Sequence, residues 1–280
     1  MSKKKRSILV TKLSGQKEYF SEHKLIRSLE SSGVPAKDAR EIIGKIYDQL
    51  YPGISTEELY RIAFSNLKRR RSPLAARYSL KKAIAQLGPT GFPFERVVGA
   101  VLAKQGFRVQ FDVMMAGAHI SHEIDVFAVR QRRRIFAECK YHNRLDNKCD
   151  VKVALYVQAR ALDIREGTPG TRDEFHLFTN TRFTTDAIRY GEGVGLRLTG
   201  WDYPEGAGLK RLIEKSRSHP VTCLTTLSAW DKKWLLERRL VLCGELRENI
   251  GVLRQLGWRD RDLSNVRREI DELASMEMED

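Results

Sequence analysis

The sequence predicts a mixed α/β protein: a mixed sheet flanked by helices, preceded by a mainly helical N-terminal domain and followed by a helical C-terminal region. Three observations carry that expectation. Between residues 92 and 204, β-rich runs alternate with segments of helical periodicity. Outside that stretch, apolar residues recur mainly at helical spacing, with few runs suited to strands. Gly88-Pro89-Thr90-Gly91 reads as a linker closing the first part. The expected domains are 1–87, 88–204 and 205–280.

In the first part, Ile8–Lys12 is strand-like, Ser14-Gly15 marks a turn and Glu18–Phe20 returns as a hairpin. Ser21 caps a helix carrying Leu25, Ile26 and Leu29 that stops at Gly33. A second helix, Ala36–Tyr51, presents Ile42, Ile43, Ile46 and Leu50 inward. Pro52-Gly53 ends it, Ser55 and Thr56 open a third, and a last helix runs from Leu74 to Leu87. In the middle part, helices are expected at Phe94–Gly106, Val151–Arg165 and Thr184–Gly191. Strands are expected at Phe107–Phe111, Ile124–Val129, Ile135–Cys139, Phe175–Thr179 and Leu196–Leu198. The C-terminal part reads as helices at Leu209–Ser216, Ser228–Leu246 and Leu263–Leu273, with Leu246, Ile250, Leu253 and Leu256 keeping helical spacing.

Composition narrows the function. The 280 residues are 41% hydrophobic and 31% charged, so the chain can bury a core. Lys and Arg number 50 against 36 Asp and Glu, a net charge of +14. The excess is concentrated in residues 1–85, which carry 19 basic and 8 acidic side chains, and points to a polyanionic partner: nucleic acid, nucleotide or an acidic surface. The longest apolar stretch in the middle part, Val97–Ala103, is far short of a membrane span, and Met1–Arg6 is a basic start without the apolar core of a secretory signal. Cys139, Cys149, Cys223 and Cys243 form no CxxC pair, which suits a reduced, cytoplasmic protein.

The segment His122-Glu-Ile-Asp125 followed by Glu138-Cys-Lys140 carries the chemistry. Glu138 and Lys140 are two apart on a strand and share one face, and a hairpin through Arg130–Arg134 brings Asp125 beside Glu138. Two carboxylates and a backbone carbonyl, that of Cys139, make a hard-oxygen site suited to Mg²⁺ or Mn²⁺. A neighbouring lysine orients the attacking water or neutralises charge on a scissile phosphate. Arg132–Arg134 are candidates to grip a phosphate backbone, and His122 and His142 flank the site.

Glu95 on a helix, Asp125 and Glu138-x-Lys140 resemble the PD-(D/E)xK nuclease superfamily, and within it the Mrr-type restriction endonuclease catalytic domain. The resemblance spans Phe92–Pro204, including GFPFERVVGAVLAKQGFRV and FTNTRFTTDAIRYGEGVGLRL. It implies a restriction-endonuclease-like sheet and a DNA endonuclease of restriction, defence or repair type. Asp125 and Glu138 would be metal ligands, Lys140 the catalytic lysine, and Glu95 and Gln158 further site residues. Many members carry Gln where Glu138 stands, and Gly where Glu123 stands. Two active sites are needed to cut both strands, so a homo-oligomer is expected.

Ile8–Gly15 followed by Glu18-x-Phe20 and Lys24-Leu-Ile resembles the ATP-cone, a nucleotide-binding regulatory domain, over Ser7–Ile84. Ile54–Leu59 and Ala75–Tyr78 continue the resemblance. It implies ATP or dATP as effector, with Val10, Lys12, Glu18, Lys24 and Thr56 as binding residues. The usual KRDG reads Lys12-Leu13-Ser14-Gly15, which removes an arginine that contacts phosphate. A nucleotide-responsive DNA-binding regulator that does not cleave is the alternative reading.

Overall fold

Capping and apolar spacing place helices along most of the chain, and a single stretch of β-rich sequence between them builds the sheet. The computed structural model describes residues 8–12, 14–70, 72–168 and 172–276; the expectations placed on Met1–Arg6 and Leu13 lie outside them. In order, the elements are β1 (Leu9–Thr11), β2 (Lys17–Tyr19), α1 (Glu22–Glu30), α2 (Ala36–Tyr47), α3 (Thr56–Arg70), α4 (Ser72–Tyr78), α5 (Leu80–Ala85) and α6 (Phe92–Lys104). There follow β3 (Arg108–Ala116), β4 (Ser121–Arg130), β5 (Arg133–Lys140), β6 (Lys148–Cys149), α7 (Val151–Gly167), β7 (Arg172–Thr179), β8 (Arg182–Phe183), α8 (Thr185–Val194) and β9 (Arg197–Thr199). The chain ends with α9 (Leu209–Ser216), α10 (Ala229–Glu237), α11 (Cys243–Glu248), a 3-10 stretch over Ile250–Leu256 and α12 (Asp260–Ser275).

Two units result. One comprises Met1–Leu80, Cys223–Thr226 and Ser264–Asp280; the other comprises Lys81–Thr222 and Leu227–Leu263. The expected third domain over 205–280 is therefore not a body of its own. Its last helix supplies Val266, Ile270 and Leu273 as buried residues, and Met276 packs with Leu29, Ile42, Ile46 and Leu67 of the first unit. Glu269 on that helix accepts from the Thr225 and Thr226 amides at 2.7 and 3.0 Å and from the Ser72 hydroxyl at 2.9 Å. A buried carboxylate needs such donors, and here they come from segments far apart in sequence.

In the second unit the sheet order is β3-β4-β5-β7-β9: an antiparallel meander of three strands joined through β5 to two parallel strands. The α7 helix crosses from β5 to β7, and α8 links β7 to β9. Both pack on one face, where Phe136 stacks on Phe175 at 4.7 Å and meets Phe127 at 5.1 Å, with Val157, Ala161 and Ile164 from α7. The α6 helix covers the other face. At its centre Gly99 lies so close to Phe111 that a Cβ would fall 2.4 Å from the ring, so any side chain here would push the helix off the sheet.

The β3–β4 hairpin departs from simple alternation. Phe111 and Val109 face α6, yet Val113 and Met115 pack on the α7 side; on β4, Phe127 and Val129 share that side with Ile124 although they lie an odd number of positions from it, so the alternation slips there too. The change of face falls at Asp112, a non-glycine residue at φ 52°, where the pairing skips from Phe111–Val126 to Val113–Ile124. Beyond it the hairpin tip meets α7, where Asp163 binds His119 and His122.

Candidate active site

The β4–β5 ladder ends at Val126 and Ala137, and the next residues on the two strands are Asp125 and Glu138. There the strands stop exchanging backbone bonds, and a side chain takes over: the Cys139 amide donates to Asp125 Oδ2 at 2.7 Å. That bond fixes the carboxylate beside Glu138. Burial, and then the Glu138 charge, push the Asp125 carboxyl up to about 6. Glu95, in the first turn of α6, is pushed up to about 7, first by burial and then by the charges of Asp125, Asp112, Glu138 and Glu123. Three carboxylates from α6, β4 and β5 thus share one electrostatic neighbourhood.

Lys140 lies two residues beyond Glu138 on β5 and is exposed. It has no carboxylate partner within ion-pair distance among the described residues. Cys139 between them is buried, and its thiol is raised well above its ordinary range by burial and by the nearby Asp125, Glu95 and Glu138 charges. Its sulfur is no ligand, and what Cys139 offers is its backbone carbonyl. Among the described residues, no group of three His, Cys, Asp or Glu side chains is placed to hold a metal ion. Two hard carboxylates completed by a carbonyl, water and substrate oxygens still match what Mg²⁺ takes, because that ion keeps several waters.

Two residues escape the sequence reading. Arg160 on α7 donates through Nη1 to Glu138 Oε2, and to the Glu123 carbonyl at 3.0 Å, while Nη2 donates to the Tyr156 hydroxyl at 3.0 Å. Its Nε is buried without a partner. The expected contribution of α7 is Gln158; that residue is half-buried with no hydrogen bond among the described residues, and Arg160 makes the contact with Glu138. Asp112 adds a carboxylate whose charge bears on Glu95. The signals in the sequence are an arginine two residues beyond Gln158 and an aspartate between the apolar Phe111 and Val113.

Other candidates fall elsewhere. Arg132–Arg134 stand at the start of β5, at the opposite end from Lys140, roughly 20–25 Å away at about 3.3 Å per residue. Arg133 pairs with Glu174 at 2.7 Å and Arg134 with Asp173, so neither is free to grip a phosphate at the site. His122 donates to or accepts from Asp163 at 2.7 Å, a structural contact rather than a DNA-facing one. His142 is held below its ordinary range by burial and the Lys140 charge, and its Nε2 is buried without a partner.

The nucleotide candidates gather around the β1–β2 hairpin. Lys12 and Lys24 both pair with Glu18, at 2.8 and 3.1 Å. Thr56 begins α3, whose cap is Ser55, accepting from the Glu58 amide at 3.0 Å. The Thr11 amide donates to the Ile54 carbonyl at 3.0 Å, tying the hairpin to that helix start. Val10 is a buried core residue. No helix among the described residues is long and apolar enough to cross a membrane.

The chain is similar to proteins without an assigned activity. A family model described as "AF1548-like, C-terminal" matches residues 219–274. An uncharacterized protein of Archaeoglobus fulgidus is 38% identical over 124 residues, 44% of this chain and 69% of that protein. The crystal structure of AF1548, a protein of unknown function, is 31% identical with a TM-score of 0.54, covering 66% of this chain and 98% of the other. A structure of protein VC1899 from Vibrio cholerae is 14% identical at a TM-score of 0.28, covering 70% of this chain and 53% of that one.

Proposed function

The chain belongs to the AF1548-like family, and from that premise and the site's geometry we propose a metal-dependent DNA endonuclease regulated by ATP or dATP. The observation that carries the reading is the meeting of Asp125, Glu138 and Glu95 where the β4–β5 ladder ends, with Lys140 next on the same strand face. Asp125, Glu138 and the Cys139 carbonyl would hold Mg²⁺, which when bound lowers the pKa of water and neutralises charge on the phosphate. Hydrolysis adds a water oxygen to phosphorus and releases the 3′ oxygen, which takes a proton. Asp125 is oriented for its part by the Cys139 amide. Lys140 stabilises the charge that develops on the phosphate oxygens. Arg160 holds Glu138 in place and presents a buried, unpartnered Nε to the same region.

A basic rim supports DNA as the substrate. Lys148 and Arg182 are register partners on β6 and β8, and the half-buried Lys81 feels the Asp202 carboxylate as well as the Arg182 and Lys210 charges. Like charges on paired strand positions cost stability, and a phosphate backbone relieves them. In the helical unit, Lys12 and Lys24 share the single carboxylate of Glu18, leaving excess positive charge for a triphosphate. A DNA-binding regulator without cleavage is the second reading, favoured by the ion pair in which Arg160 occupies Glu138.

Plasmid cleavage in Mg²⁺, with ATP, dATP or no nucleotide, beside Asp125→Ala and an EDTA control, decides between them. Cutting that is lost in both controls supports the endonuclease; DNA binding without cutting supports the regulator. Cutting that does not respond to nucleotide removes the regulatory half.

A further inference from the structure

We propose that two copies of this chain pair through α7, antiparallel, about a two-fold axis passing beside Ala159. The helix buries Ala154, Val157, Ala161 and Ile164 against the sheet, and leaves Leu155, Tyr156, Ala159 and Leu162 on the outside. Leu155, Tyr156 and Leu162 are 45%, 58% and 56% exposed, a run of large apolar groups at helical spacing that a monomer has no use for. Ile120, 64% exposed, extends the patch, because its amide lies 3.4 Å from Asp163 on the same helix.

The chemistry of the stripe identifies the occupant. Counted outward from Ala159, it carries a large apolar group on each side, Leu155 four residues before and Leu162 three after, and charges of opposite sign seven residues to either side. The charges are those of Lys152 and Glu166. An antiparallel copy therefore sets Leu155 against Leu162 and Lys152 against Glu166, twice each, and Ala159 against Ala159 once, at the axis. Lys152 and Glu166 are exposed and have no ion-pair partner among the described residues. The small side chain at the centre lets the helices approach, and an isologous pair needs only this self-complementarity. One helix face of about 25 Å buries less than the roughly 1,200–2,000 Å² of a standard interface, so the pair is concentration-dependent. Tyr156 holds Arg160 through its hydroxyl, so the contact lies one helical turn from Glu138.

Sedimentation velocity of the full chain from low to high micromolar concentration tests the pairing without any reference to cleavage. The expected result is a monomer–dimer equilibrium. Lys152→Glu or Glu166→Lys alone weakens it by about tenfold, since each creates two like-charge contacts, and the double reversal restores it. Leu162→Glu abolishes the dimer. Because the four native cysteines are buried, Ala159→Cys gives a cross-linked dimer under mild oxidation. A chain that stays monomeric throughout, or a dimer indifferent to Leu162→Glu and to both reversals, overturns the proposal and gives this face to another partner.

Discussion

Asp125 and Glu95 keep their protons to higher pH than free carboxyls, and the consequence is measurable in stability before any activity is known. Their folded-state values, about 6 and about 7, lie above ordinary values near 4. A raised acid contributes stability that is fully present below its unfolded value and is lost as pH rises through the folded value. Stability should therefore fall between about pH 4 and pH 7. Glu95→Gln should flatten that fall and leave the variant more stable than the native chain at pH 8, by about 1 kcal/mol after allowance for solvent screening. Thermal unfolding at pH 5 and pH 8 measures it; the same effect of Glu95→Gln at both would mean that neither burial nor the neighbouring charges raise Glu95. Mg²⁺ at pH 8 should raise the melting temperature of the native chain and not that of Asp125→Ala. A strand's period of two and a short hairpin are enough to put Asp125 beside Glu138 from sequence, whereas Glu95 enters only through the family resemblance and Asp112 not at all. Arg160 is not legible there either, since its reach to Glu138 depends on how α7 is phased against the sheet, which residue spacing alone leaves open.

At the scale of elements, the β3–β4 hairpin is the part whose behaviour most needs explaining. Its tip is tied to α7 by one carboxylate: Asp163 meets His119 at 2.6 Å and His122 at 2.7 Å, and it accepts from the His119 amide at 3.0 Å. Gly117 fits beneath, where a Cβ would sit 1.9 Å from Asp163 Oδ2. Asp163→Ala should free the tip, raising amide exchange over residues 113–124 while β5 and β7 keep their protection. The hydrogen bonds to His119 raise its pKa and lower that of Asp163. The tie is thus strongest between the ordinary Asp and His values, roughly pH 4 to 6.5, and weakens as pH rises through the raised value of His119. Exchange at the tip that is equal at pH 5.5 and pH 8.5 would rule this out. The sequence shows the first half of β3 but not its second, because alternation, the signal for a strand, changes face at Asp112. For a similar reason the single helix expected over Ser228–Leu246 is two: Arg239 at φ 61° ends α10, and Glu245 accepts from the Val241 and Leu242 amides to start α11. The two-residue strands β6 and β8 are too short to leave a pattern.

For the whole chain, the sequence locates three stretches of distinct character but not how they are shared between compact units. Composition and periodicity describe a segment's own tendencies, whereas membership of a core depends on contacts between residues about two hundred apart. Glu269 shows the difference: it is a charged residue on a charged helix, yet it is 3% exposed. Besides the three bonds from Ser72, Thr225 and Thr226 already described, it accepts from the Thr226 hydroxyl at 2.7 Å. The Lys68 ammonium reaches the Thr225 carbonyl at 2.7 Å, so α3, α4, the 223–226 segment and α12 are joined by one polar network. Glu269→Ala leaves several buried donors without an acceptor and should cost about 3 kcal/mol. Deleting residues 264–280 removes that carboxylate together with the buried Val266, Ile270 and Leu273. We expect the truncated chain to lose amide protection and protease resistance across residues 8–80, while residues 92–204 retain theirs. An autonomous C-terminal domain would behave in the opposite way, leaving the N-terminal unit untouched by its removal. Because nucleotide binding is proposed for that same N-terminal unit, the truncation should also weaken ATP or dATP binding, measured by calorimetry, with every candidate nucleotide ligand still in place.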